Sequence, residues 1–307
     1  MATTPSTRSG RSPGRIAFDR LKRDPAALFG ASIVAVFVAV ALGAPLLTAL
    51  SGWDVQTFDK SAIDRSLGGV PYGDLGGIGA EHWLGVEPGT GRDVFARIVY
   101  GARVSLLISV AATAVTVVAG TVIGLVAGYV GGRTDTILCR VMDLVMSFPS
   151  LIFMLALLSV APDANRVLLL IAIMSMFSWP YVGRIVRGQA LSLKHQEFVD
   201  AARVGGGRAA HILFKEMLPN ITGPILVYTT LAIPANIGTE AALSFLGVGV
   251  RPPTPSWGQM LDDSLKWYQV VPSYFIVPSV CLFLTVLAFT LLGDALRDAL
   301  DPRGTNA

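Results

Sequence analysis

The residues that could do chemistry are few and scattered. Three histidines (His82, His195, His211) and two cysteines (Cys139, Cys281) fall far apart in 307 residues, with no spacing that would gather metal ligands. No Ser/His pair, Asp pair or His-Glu-x-x-His arrangement stands in the apolar stretches. No catalytic residue and no metal ligand is therefore assigned, and the histidines read as ordinary surface or interfacial side chains. The one patterned polar segment is 197–220. Its first part, Glu197-Phe198-Val199-Asp200-Ala201-Ala202-Arg203, is helix-prone, and Gly205-Gly206-Gly207 interrupts it, because glycine is unfavourable in helix interiors and permits sharp turns. Residues 211–218 resume, with Ile212, Leu213, Met217 and Leu218 on one side, and Pro219 closes the segment. The action available here is mechanical: Ala201 and Ala202 leave a small, flat face that another protein can approach. The plain alternative is a solvated hairpin with no partner.

The elements that must hold this segment are membrane helices. Hydrophobic residues make up 52% of the chain and charged residues 15%, against about 25% charged in soluble domains; the mean hydropathy is +0.60. Six uncharged or nearly uncharged stretches approach the roughly 20 residues that cross a bilayer: 26–50, 104–130, 144–161, 167–183, 221–239 and 274–293. Backbone polar groups in hydrocarbon must be satisfied within the segment, so these are expected to be helices. The short alternating segments of a β-barrel are not visible. The first stretch is expected to be retained rather than cleaved, because it is longer than an h-region of about 7–15 residues and follows a polar tail. The 24 Lys and Arg residues split 16 to 8 between the two sets of loops, which puts both termini and the 184–220 loop in the cytoplasm. That bias accounts for the net charge of +3 without a nucleic-acid partner; the partner it implies is the lipid bilayer.

Along the chain, 1–25 is a cytoplasmic tail. Its first 15 residues have a composition unable to build a core, and 16–25 read as a basic surface helix with Ile16, Phe18 and Leu21 on its apolar side. Residues 51–103 form a long outer loop, irregular and Gly-rich at first. Its end, with apolar residues at 94, 95, 98 and 99, reads as an interfacial helix leading into the second span. Gly120, Gly124 and Gly128 lie on one side of that span and predict close helix packing. Pro45, Pro149, Pro180, Pro224, Pro234 and Pro278 can bend their helices. Glu240 is an acidic residue attached to a span without an obvious loop, about 30 Å along from Ile221. It reads either as a polar group lining a pathway or as an outer-interface residue satisfied by water or helix-end donors.

The 200–219 segment resembles the "EAA" signature of ABC importer permeases, a Glu-Ala-Ala triplet followed by a Gly and then Leu-Pro. Here those positions are Asp200, Ala201, Ala202, Gly206, Leu218 and Pro219, with Asp in place of Glu. Further segments are similar to the dipeptide/oligopeptide/nickel branch: Leu21-Lys22-Arg23-Asp24-Pro25, His82-Trp83-Leu84-Gly85, Gly91-Arg92-Asp93-Val94, Leu243-Ser244-Phe245-Leu246-Gly247, Pro255-Ser256-Trp257-Gly258 and Leu292-Gly293-Asp294. The resemblance covers roughly 20–303. It implies an all-α membrane protein with six transmembrane helices, of the type I ABC importer kind. The first helix would be 26–50, the core 104–293 with a coupling loop over 188–219, and the cytoplasmic tail 294–307. It implies residence in the bacterial inner membrane, a second homologous permease, two ABC ATPase subunits and an extracytoplasmic substrate-binding protein. The sequence holds no G-x-x-x-x-G-K-[ST] loop, so the chain is expected to bind no cofactor and to be no enzyme, with ATP and Mg bound by the partner ATPase subunits. Di- or oligopeptides are the expected substrate, with nickel, glutathione or a sugar as alternatives. The competing reading is a stand-alone secondary transporter or channel, which would be expected to place a charged or broken-helix ion site near mid-membrane.

Overall fold

In a computed structural model, residues 19–161 and 165–300 are described. The expectations for the tail before residue 19, including Ile16 and Phe18, and for residues after 300 fall outside them. The main regular elements are helices and one small hairpin, joined by irregular loops over 52–93 and 246–256: α1 Pro25–Leu42, α2 Ala44–Ser51, β1 Ile63–Asp64, β2 Val70–Pro71, α3 Val94–Val130, α4 Gly132–Ser147, α5 Ser150–Val160, α6 Arg166–Leu193, α7 Glu197–Val204, α8 Ala209–Asn220, α9 Thr222–Phe245, α10 Trp257–Ser264 and α11 Pro272–Leu300.

Local chemistry sets the boundaries. Asp24 caps α1 by accepting from the backbone amides of Ala26 (2.8 Å) and Ala27 (3.4 Å), with Pro25 in the first turn. The single first span expected over 26–50 is corrected: the helix stops at Gly43, and Pro45, which has no N–H to donate, opens the separate α2. The interfacial helix and second span expected around 92–130 are one continuous helix, α3, of 37 residues. Asp93 starts it by accepting from the Ala96 amide at 2.7 Å, and no proline interrupts it. At about 55 Å it exceeds the roughly 30 Å of hydrocarbon.

Residues 144–161, expected as one span, contain a sharp bend. α4 and α5 meet at an angle of 80°, because Phe148 precedes Pro149 and is driven into extended backbone, φ −84° and ψ 139°. A second bend, of 68°, separates α8 from α9. Within α8, residues Ile212–Met217 form a widened π turn just before Pro219, whose missing donor breaks the regular ladder. Pro180, Pro234 and Pro278 sit inside α6, α9 and α11. Four helices are long and apolar enough to cross a membrane, and six spans result if each bent pair counts as one.

Three apolar clusters hold these elements. One joins α1, α3, α9, α10 and α11 around Trp257 and Tyr274; one joins α3, α5, α6 and α9 around Leu158, Leu170 and Met174. The third joins α3 and α6 to α7 and α8 through Leu125, Val182, Val186, Val199, Ile212 and Met217. The tightest approach is between α3 and α6. A Cβ at Gly120 would lie 2.5 Å from Val182 Cβ, at Gly124 2.5 Å from the Gly183 carbonyl oxygen, and at Gly128 2.6 Å from Ala190 Cβ.

A side chain added at this seam must push the two backbones apart. Gly124→Val is expected to destabilise the protein by about 1–3 kcal/mol or more, read as a lower apparent Tm in detergent by size-exclusion after heating. Gly188→Ala, on α6 with no atom within 4 Å of the added methyl, is expected to leave Tm unchanged or slightly raised.

Candidate coupling site

α7 is an exposed helix nailed down by one residue. Val199 is fully buried in the α3/α6/α7/α8 cluster, whereas Glu197, Phe198, Asp200, Ala201 and Val204 are exposed, Val204 at 90%. Arg203 ties the helix to the end of α3: its guanidinium donates to Asp200 at 2.9 Å and lies 5.2 Å from the centroid of the Tyr129 ring. The turn that follows is closed by amide donation from Gly205 to Ala201 O and from Gly207 to Ala202 O, both 2.9 Å. Gly206 takes φ +78°, the left-handed region that favours glycine.

The six motif residues divide by exposure. Ala202 and Leu218 pack, half-buried, on the same apolar cluster. Asp200, Ala201, Gly206 and Pro219 stay exposed, with Pro219 at the far end of α8 beside the bend into α9. The segment therefore presents a helix and a turn outward on a rigid apolar footing, and it joins α6 directly to α9.

Glu240 sits elsewhere. It is 0% exposed inside α9, whereas both readings of it, a group lining a pathway and an outer-interface residue met by water, place it at a surface. Ser244 Oγ donates to its Oε1 at 2.8 Å, the Ser105 and Ser256 hydroxyls lie beside it, and Oε2 has no hydrogen-bond partner among the described residues. The carboxyl thus stands where α3, α9 and the chain entering α10 converge.

The end of the molecule bearing the 52–93 loop holds a polar network that sequence reasoning missed. Glu87 accepts from Arg92, from Thr90 Oγ1 at 2.6 Å and from the Tyr274 hydroxyl at 2.6 Å, and Arg97 Nε lies 3.8 Å away. Arg97, 0% exposed, donates to Gln259 Oε1 at 2.8 Å. Burial raises the Glu87 carboxyl, but the Arg97 and Arg92 charges outweigh it and hold it below its ordinary value. His82, expected at the surface, is 5% exposed, with Nδ1 2.8 Å from Asp93 and Nε2 3.3 Å from Asp59. The signal available in the sequence was the clustering of Glu87, Arg92, Asp93 and Arg97 where an apolar helix begins, a place where burial forces charges to pair. Among the described residues no cluster of His, Cys, Asp and Glu could hold a metal ion.

Bent and broken apolar helices, with an exposed helical loop rooted in their core, are the architecture of a multi-pass membrane protein. Residues 120–305 match the model of the binding-protein-dependent transport system inner membrane component, and residues 12–63 match the N-terminal TM domain of oligopeptide transport permease C. The dipeptide transport system permease protein DppC of Alkalihalophilus pseudofirmus is 39% identical over 95% of this chain and 90% of the relative. The glutathione transport system permease protein GsiD of Pectobacterium atrosepticum is 37% identical over 99% and 96%, and the oligopeptide transport system permease protein OppC of Bacillus subtilis 37% over 92% and 88%. A chain of the MetNI methionine ABC transporter aligns at 16% identity and a TM-score of 0.49, over 67% of this chain and 96% of that one. The chain belongs to the binding-protein-dependent transport system inner membrane component family: it is an inner-membrane permease of an ABC importer.

The Glu87 network generates a pH dependence. A carboxylate held below its ordinary 4.5 contributes stability that is fully present above that value and lost as pH falls through the lowered one. Glu87→Gln is expected to lose roughly 3–5 kcal/mol at about pH 7, because it leaves Arg92 and Arg97 buried without their partner. The Tm gap to wild type should narrow as both are acidified below 4.5 and through the lowered value. A gap independent of pH would remove the carboxylate from the account.

Proposed function

We propose that this permease forms half of a passage for di- or oligopeptides. The other half is a second, homologous permease, two ABC ATPase subunits dock on the α7 side, and a substrate-binding protein delivers peptide on the other. The observation that carries the reading is the geometry of α7: an exposed Asp200–Ala201 face on a helix fixed to the core by Val199 and to α3 by Arg203. ATP and Mg belong to the ATPase subunits, since the chain has no phosphate-binding loop. Motion of a docked ATPase pushes α7, and because the segment joins α6 to α9 the push changes the relation between those two helices. Both termini and α7 lie in the cytoplasm on the Lys/Arg bias. The named solutes of the relatives above, dipeptide, oligopeptide and glutathione, are all peptide in chemistry. They favour a peptide over nickel or a sugar.

Two experiments test this. Ala201→Trp adds bulk at an exposed position and is expected to leave membrane insertion and Tm unchanged, while ATPase subunits no longer co-purify and uptake falls at least about tenfold. Retained ATPase capture and uptake would count against α7 as the docking site. Uptake of a labelled dipeptide by cells carrying the intact transporter, but not by cells lacking this chain, is expected; dependence of nickel or sugar uptake alone would overturn the substrate.

A further inference from the structure

The end of α9 away from α7 is covered by the chain that follows it, residues 246–256 and the start of α10. The cover lies close: a Cβ at Gly249 would run into Ser244, and one at Gly258 would stand 2.6 Å from the Ala241 carbonyl oxygen. Serine hydroxyls receive its backbone. The Val250 amide donates to Ser244 Oγ at 3.1 Å, the Trp257 amide to Ser105 Oγ at 3.3 Å, and the Gln259 amide to Ser256 Oγ at 3.2 Å. The same hydroxyls stand around Glu240, which is fully buried. A hydroxyl has one hydrogen and two lone pairs. With an amide on its acceptor side, each keeps its hydrogen for an acceptor, and the Glu240 carboxyl is the acceptor they share. Ser244 donates to Oε1 at 2.8 Å, and Oε2, without a partner among the described residues, can accept from Ser105 or Ser256.

We infer that Glu240 is the latch of this cover: a positioning residue that orients the Ser105, Ser244 and Ser256 hydroxyls and through them holds 246–259 down on α3 and α9. Hydrogen bonds to an ionised acceptor are roughly twice as strong as neutral ones, so one carboxylate secures what separate hydroxyls would hold loosely. A buried carboxylate is costly unless such bonds offset it, and here the donors come from α3, from α9 and from the residue that opens α10. Losing the carboxylate therefore frees the cover and leaves the rest of the fold in place. The inference goes beyond the importer reading and holds whatever the solute.

The test reads the opening of the cover directly. Val250→Cys and Val199→Cys serve as reporters, each in the full chain carrying Cys139→Ser and Cys281→Ser. Both valines are buried, Val250 at 3% under the cover and Val199 at 0% under α7. The rate of labelling by a hydrophilic thiol reagent is measured in detergent. Glu240→Gln keeps the size but replaces one acceptor oxygen by an N–H donor. It is expected to speed labelling of Val250→Cys at least about tenfold and to leave Val199→Cys unchanged. Ser244→Ala removes the hydroxyl between Glu240 and Val250 and is expected to speed it as well. The two together should do no more than the larger single change, because they break one chain of bonds. Unchanged labelling of Val250→Cys in Glu240→Gln overturns the inference. So does a rise at both reporters, which would make Glu240 a support of the whole fold, and so does a double variant in which the two single effects multiply.

Discussion

Everything at the coupling face depends on how closely α3 and α6 approach. Three glycines on α3, one turn apart, let the α6 backbone come within contact distance at Val182, Gly183 and Ala190. At that distance the helices cannot rotate independently, because packed interiors have no slack to absorb a side chain. α7 follows α6 after a short turn, and its anchor Val199 packs on Leu125, Val182 and Val186 from the same two helices. The seam makes a closely packed base under α7.

The other end of α3 is pinned by different physics. Glu87, Arg92, Arg97, Tyr274 and Gln259 come from a loop and from α3, α10 and α11, and they meet in a nearly dry space. Each buried charge there requires its partner, so the network fixes which elements touch as well as holding them. Apolar packing alone would tolerate several arrangements of smooth helices. A long helix held by backbone contact at one end and by charge pairing at the other is a defined strut between the two faces.

Helix existence, the short helix over 197–204 and the glycine seam were legible in the sequence because each is local: an apolar run, a Gly triplet after Val204, three glycines at one spacing. What was not legible depended on partners distant in sequence. His82 looked like a surface residue until the fold brought Asp59 and Asp93 to either side of it. Glu240 looked like a pathway or interface residue because length counting along α9 cannot see that α3 and the start of α10 close over it. The breaks at Gly43 and Phe148-Pro149 were within reach, since Pro45 and Pro149 were noted as possible bends. Apolarity outvoted them when the spans were drawn, although hydropathy is blind to whether a stretch stays straight.

Those breaks divide the molecule into parts that can move and parts that cannot. α3 is uninterrupted, whereas α4/α5 and α8/α9 are each split next to a proline, where a ladder bond is already missing and a change of angle costs least. The segment 194–221 runs from the end of α6, packed along α3, to the start of α9 beside the 68° bend. On the function proposed above, a push on α7 is received between a helix held along α3 and one that follows a bend, and the relation between the two is what it changes.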